Sequence, residues 1–215
     1  MNRQEAMACF KSFPIYGITA EELSGGRSNF EVVEAMLEAG IRFVQYREKT
    51  KSGLARYDEC RKLRELTRRY QAAFVIDDFV DLALAVDADG VHIGQDDLPP
   101  EAVRALLGPD KVIGWSTHEP GELQAANALG NIIDYVGVGP VYATQTKAEA
   151  LPVGLEYVKY AKKNAALPLV AIGGIKEHNI QLVKEAGAAQ VCVVSEITGA
   201  EDIRGKIQAL ARLMD

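Results

Sequence analysis

Phe74-Val-Ile-Asp77-Asp78-Phe-Val-Asp-Leu-Ala-Leu-Ala-Val-Asp-Ala-Asp-Gly90-Val-His92-Ile-Gly-Gln-Asp96-Asp97 is the stretch that decides the fold. It reads as strand, helix, strand. Phe74–Ile76 is a short apolar run, and Val80–Val86 switches to a compact helical pattern that Gly90 is expected to end. Val91–Ile93 is the second strand. Such a unit makes its strands parallel and near neighbours, so Asp77-Asp78 and Asp96-Asp97 emerge on one side of the sheet. Two carboxylates from neighbouring strand ends suit Mg²⁺ when substrate phosphates supply further oxygens. Acids in these positions equally suit capping of the next helix.

The same alternation extends in both directions. Strands are expected at Phe13–Thr19, Ile41–Tyr46, Val112–Ser116, Tyr135–Val138, Pro168–Ile172 and Val191–Val194. Between them lie helical patterns: Val32, Val33, Met36 and Leu37 behind an Asn29 cap, then Leu54, Tyr57, Cys60, Leu63 and Leu66 as a buried stripe. Val103, Leu106 and Leu107 follow Pro99-Pro100, and Ile203, Ile207, Leu210 and Met214 close the chain. Strands apolar along their length belong to a parallel sheet covered on both faces. Eight repeats predict a (β/α)8 TIM barrel, one domain spanning residues 1–215, over an open doubly wound sheet. No Gly-x-Gly-x-x-Gly follows the first strand, which counts against dinucleotide binding.

Composition sets outer limits. The chain has 215 residues and a net charge of −6, which argues against a general nucleic-acid or membrane-surface binder. Cys9, Cys60 and Cys192 are far apart without metal-ligand spacing, as expected of reduced thiols in a cytoplasmic protein. Met1–Lys11 lacks an apolar stretch long enough for a signal peptide, and nowhere do apolar residues run far enough to span a bilayer. Self-association into a homo-oligomer is left open.

A barrel of this kind carries its site at the C-terminal strand ends. The second strand presents Gln45, Arg47 and Lys49 on one face by alternation, with Tyr46 and Glu48 on the other. The third and fourth supply Asp78 and Asp97, the fifth Ser116 and His118, the sixth the run Thr144-Gln145-Thr146-Lys147. Gly173-Gly174 follow the seventh, and Val194-Ser195 end the eighth. Glycines and a serine there match a barrel phosphate site, although a glycine pair also makes a tight turn. Arg47, Lys49, Lys147 and one divalent cation, set against Asp78 and Asp97, leave a surplus of about three positive charges, enough for a pyrophosphate ester. His118 suits acid–base work or a structural place at a helix start, His92 packing or hydrogen bonding inside the barrel. Trp115 and Tyr16 are open to the barrel mouth or the core, with core packing the expectation for each.

Five motifs taken together resemble the thiamine phosphate synthase family, which is related to the thiazole tautomerases. They are Gln45-Tyr46-Arg47-Glu48-Lys49, Ala88–Asp97, Gly114–His118, Gly139–Lys147 and Ala171–Ile175, in register from about Tyr16 to Ile197. The resemblance implies a transferase that joins hydroxymethylpyrimidine diphosphate to a (carboxy)thiazole phosphate, by a dissociative course through a pyrimidine carbocation. It implies Mg²⁺ on Asp78 and Asp97, with Arg47, Lys49, Ser116 and Lys147 gripping pyrophosphate and Gln45 orienting the pyrimidine. Thr144, Thr146, Gly174, Val194 and Ser195 would take the thiazole phosphate. Tyr46, Glu48, Asp77 and Gln145 join the substrate-binding set. The partners implied are small-molecule substrates. Where the family often has Asn, this chain has Asp77, for which a metal-linked role and helix capping are both open. A tautomerase using the glycine pair, Ser195 and His118 would have little use for the cation grip, and a non-catalytic precursor-binding barrel would be expected to lose part of it. The Thr-x-Thr-Lys run favours the synthase. The long 139–152 loop with Lys147 has the length of a lid.

Overall fold

The computed structural model describes residues 1–144 and 150–215. The apolar runs become parallel strands β1 (Ile15–Ile18), β2 (Phe43–Tyr46), β3 (Ala73–Asp77), β4 (Gly90–Ile93), β5 (Val112–Thr117), β6 (Tyr135–Val138), β7 (Leu169–Ile172) and β8 (Gln190–Cys192). Each pairs with the next, and β8 pairs with β1 through Ile15↔Val191 and Tyr16↔Cys192, so the barrel closes. The surrounding helices are α1 (Arg3–Lys11), α2 (Asn29–Glu38), α3 (Gly53–Arg69), α4 (Val80–Ala85) and α5 (Pro100–Leu107). They continue as α6 (Pro120–Ala128), α7 (Gly154–Asn164), α8 (Ile180–Glu185), α9 (Ser195–Thr198) and α10 (Ile203–Met214). This is the (β/α)8 barrel that the alternation predicts. No helix among the described residues is long and apolar enough to cross a membrane.

Alternation along each strand divides the apolar residues between two cores. Outward-facing Val44, Tyr46, Phe74, Ile76, Val91, Ile113 and Val136 pack under the helices. Inward-facing Tyr16, Phe43, Val75, Val112, Tyr135, Val170 and Cys192 fill the barrel with Ala6 and Phe10 of α1. The α1 helix is not announced by the sequence pattern. It starts with a capping box between Asn2 and Glu5 and plugs the N-terminal end of the barrel. The Phe10 ring lies 4.8 Å from Tyr135 and 5.3 Å from Phe43, centroid to centroid. Burying that ring contributes about 2–3 kcal/mol.

Close by, Asp89 ties the barrel bottom together. Its carboxylate takes two hydrogen bonds from Arg64, at 2.7 and 2.9 Å, and one from the Phe74 amide at 2.9 Å. The amino group of Met1 completes the set at 3.0 Å. A buried carboxylate needs this density of donors.

Several sequence expectations are corrected. Gly90 opens β4 instead of ending α4, because a Cβ there would overlap the Val112 carbonyl. The preceding turn is made by Asp87, with φ of 51°. Ser28 caps α2, and Asn29, already helical and buried, donates to Glu48. Leu54 and Leu106 are 71% and 55% exposed, since both project beyond the strip of helix that meets the sheet. Asp77 does not cap α4, whose start lacks a side-chain cap altogether. It belongs to β3 and points inward.

Candidate active site

The inner face of β2 carries Phe43 into the barrel core, then Gln45, and its continuation delivers Arg47 and Lys49 to the mouth. Strands β3 and β4 add Asp77, Asp78, His92, Gln95 and Asp97; β5 adds Ser116 and His118. Opposite them, Thr144, Gly173, Gly174, Val194 and Ser195 close the other side. Together they line a cavity of about 340 Å³ at the C-terminal strand ends. That size suits a small-molecule ligand.

The β2–β4 side is strongly charged. Lys49 Nζ lies 3.0 Å from Asp77 Oδ2 and also contacts Asp78. Arg47 Nε is 3.5 Å from the same Asp77 oxygen. Burial pushes the Asp77 carboxyl up, against the opposing pull of Lys49 and Arg47. Burial works against the Lys49 ammonium, yet Asp77 and Asp78 outweigh it and raise its pKa. Partial burial, then Asp78, raises the Asp97 carboxyl, while the Gly94 amide, at 2.7 Å, holds it down. Asp78 sits in the left-handed region, φ 61°, with its amide donating to the His92 carbonyl at 2.9 Å. A non-glycine residue in this region is a local strain that recurs at functional sites.

These groups bear on a cation. Among the described residues, no three His, Cys, Asp or Glu side chains gather as a metal site. Asp78 and Asp97 are a pair within hydrogen-bonding reach of one another, and a cationic ammonium already lies against Asp78. Two hard oxygen donors with room for further ligands fit Mg²⁺, which commonly keeps waters and substrate phosphates around one or two carboxylates.

The β7–β8 side is built from backbone. Gly173 and Gly174 have φ of 99° and 62°. A Cβ on Gly174 would press on Tyr142 and the Ala143 carbonyl, so the turn requires glycine. Ser195 begins α9, and Lys176 Nζ stands 3.5 Å from its hydroxyl. A close-approaching backbone with a hydroxyl and an ammonium suits a phosphate.

Two residues of the Gln45–Lys49 run stay out of the cavity. Tyr46 is buried outside the sheet, donating to Glu59 at 2.6 Å. Glu48 accepts from Asn29 Nδ2 at 2.8 Å and from the Glu21 amide at 3.0 Å. The alternation that turns Gln45, Arg47 and Lys49 inward sends both of these side chains to the other face of the strand. Gln145, Thr146 and Lys147 lie outside the described residues, as does the middle of the 139–152 loop.

Other cavity residues exceed the sequence reading. Tyr16, expected in the core with the barrel mouth as the alternative, forms part of the cavity floor, and His92 reaches it from β4. Period-two reading from Ile18 and from Gly90 would have found both. His118 lines the cavity while its backbone and Nδ1 both meet Glu122 Oε2, at 2.6 and 2.9 Å, which ties the ring to α6.

Residues 15–197 match the family model described as thiamine monophosphate synthase. The chain is 53% identical over its whole length to the thiamine-phosphate synthase of Pelotomaculum thermopropionicum, covering 98% of that protein. It is 49% identical to the thiamine-phosphate synthase of Caldicellulosiruptor bescii, covering all of this chain and 97% of that one. Among solved structures it resembles the thiamine phosphate pyrophosphorylase of Pyrococcus furiosus, with a TM-score of 0.86 and 35% identity over 95% of this chain and 97% of the other.

Proposed function

We propose that this chain, which belongs to the thiamine monophosphate synthase family, couples hydroxymethylpyrimidine diphosphate to a thiazole phosphate, giving thiamine phosphate and pyrophosphate. The observation that carries the reading is one cavity with two unlike anion-binding sides. Arg47, Lys49, Asp78 and Asp97 lie on one, and Gly173, Gly174 and Ser195 on the other. A transferase that joins two phosphorylated rings needs both.

Each group then has a task. Asp78 and Asp97 hold Mg²⁺, which supplies charge neutralisation for the diphosphate when bound. Arg47, Lys49 and Ser116 surround the same leaving group, and Lys147 belongs with them on the strength of the sequence resemblance. Gln45 orients the pyrimidine from the floor. Gly174, Val194, Ser195 and Thr144 seat the thiazole phosphate, joined by Gln145 and Thr146 from the sequence resemblance. Asp77 holds Arg47 and Lys49 toward the anion and adds negative charge near the cation.

The chemistry is a substitution at the pyrimidine methylene. The carbon–oxygen bond to diphosphate breaks and pyrophosphate leaves with the electron pair. The thiazole nitrogen then donates its lone pair to form the carbon–nitrogen bond. Cations aimed at the departing oxygens stabilise charge as it develops. Seating both rings in one cavity makes the second step effectively unimolecular. No protein nucleophile is needed.

Mass analysis of a reaction holding both substrates and Mg²⁺ tests the reading. Thiamine phosphate should form, and none should form when either substrate is omitted. Binding of both substrates without product would overturn it.

A further inference from the structure

A line of hydrogen bonds crosses the cavity floor beneath the substrates. Gln45 Nε2 lies 2.9 Å from Tyr16 Oη, which lies 2.9 Å from Tyr135 Oη. Tyr135 Oη is 3.0 Å from His92 Nδ1, and His92 Nε2 is 2.9 Å from Ser116 Oγ. Five residues from five strands therefore form one line, with Gln45 at one end and Ser116 at the other. The space for them is made by glycines: a Cβ on Gly114 would overlap both Tyr135 Oη and His92 Nδ1, and one on Gly137 would come within 3.2 Å of His92 Cε1.

Each phenol has one hydrogen to give, and burial pushes both Tyr16 and Tyr135 far above the ordinary phenol range, so each keeps it. A neutral imidazole donates from one nitrogen and accepts at the other. With a neutral His92 and every hydroxyl hydrogen kept within the line, it runs in two senses. In the first, the Gln45 amide N–H donates to Tyr16, Tyr16 to Tyr135, Tyr135 to His92 Nδ1, and His92 Nε2–H to Ser116. Gln45 then keeps its amide oxygen for a ligand, and Ser116 keeps its own hydrogen to donate. In the second sense the amide turns over, every bond reverses, and Ser116 offers only lone pairs.

We propose that this relay links recognition of the pyrimidine to the grip on the leaving group, with Tyr16, Tyr135 and His92 as positioning residues. The proposal rests on the functional reading above. An aminopyrimidine presents an N–H that needs the Gln45 oxygen, which selects the first sense. That sense alone leaves the Ser116 hydroxyl as a donor to the diphosphate. A pyrimidine with a carbonyl oxygen in place of the amine asks Gln45 for its N–H, and by reversing the relay withdraws the Ser116 donor. The relay therefore discriminates amino from oxo pyrimidines at a distance from the amine itself.

Two measurements on the full chain test this. Nitrogen-15 spectra of the histidines, with His118→Gln and His178→Gln used for assignment, should show His92 as the Nε2–H tautomer when Mg²⁺ and inorganic pyrophosphate are bound. The Nδ1–H tautomer in the pyrophosphate-bound protein would overturn the proposal. Binding of the pyrimidine diphosphate to Gln45→Ala, Ser116→Ala and the double variant should be non-additive by about three-fold or more. In a Tyr135→Phe background the two losses should multiply within about two-fold. Additivity in the parent, or unchanged coupling with Tyr135→Phe, would defeat it. If Tyr135→Phe fails to fold, Tyr16→Phe cuts the adjacent link, and the tautomer measurement stands on the parent protein. Failure of the parent to make thiamine phosphate would sink the functional reading separately.

Discussion

Lys49 Nζ stands 3.0 Å from Asp77 Oδ2 while also touching Asp78, so one ammonium spans both acids that follow Ile76. Burial nevertheless pushes the Asp77 carboxyl above its ordinary value. A carboxyl whose folded pKa is raised holds its proton more tightly in the folded state. Its contribution to stability is complete below the unfolded pKa and is lost as pH rises through the folded one. Asp77→Asn escapes that loss. The metal-free variant should melt above the parent at about pH 8, with the two curves converging as pH falls through the raised pKa. A variant that melts below the parent at the higher pH would show that the ion pairs outweigh burial.

Asp97 must be ionised to hold a cation, and its pKa is raised by partial burial and by Asp78. Affinity for Mg²⁺ should therefore weaken, as pH falls, earlier than an ordinary carboxylate would allow. Asp97→Asn should raise the Mg²⁺ concentration for half-maximal velocity by about 100-fold. Titration of pyrophosphate release with Mg²⁺ reads this directly. An unchanged requirement takes Asp97 out of the cation site.

Gly174→Ala forces a side chain into a left-handed backbone, at a cost of roughly 1–3 kcal/mol, and crowds Tyr142 and Ala143. Damage should fall on one substrate only. The KM for the thiazole phosphate should rise about ten-fold or more, since small misplacements at a seated group are costly. Inhibition by inorganic pyrophosphate should keep its constant. Equal damage to both would place the glycine under a shared site.

Asp89→Ala strips Arg64 of its partner inside the barrel bottom. Removing one member of a buried pair costs about 3–5 kcal/mol. Chemical denaturation should show that loss, while kcat and KM well below the melting range stay at parental values. Asp89 sits in the motif that also contains Asp97, and this experiment separates the two roles.

Much of this architecture is legible because a parallel sheet covered on both faces leaves apolar runs that need no partner to be recognised. Gln45, Arg47 and Lys49 were legible for a different reason: a side-chain period of two puts them on one face. The same rule places the side chains of Tyr46 and Glu48 on the outer face, where they meet Glu59 and Asn29. The α1 plug was illegible because only Ala6 and Phe10 of that helix are fully buried, too few to stand out as a stripe. Leu54 and Leu106 misled because a helix on a barrel meets the sheet along a narrow strip, and apolar residues beside it stay exposed. The floor relay was hidden for a topological reason. Tyr16 and Tyr135 lie in strands far apart in sequence, and only closure of the barrel brings their hydroxyls together across 119 positions.

The most direct test of the account is pyrophosphate release by the purified chain, with both substrates, with one omitted, and with Mg²⁺ chelated. Release that requires both substrates and the metal, matched mole for mole by thiamine phosphate, is the predicted result. Release from the pyrimidine diphosphate alone at the same rate, or none under any condition, would contradict a two-sided cavity that couples the two rings.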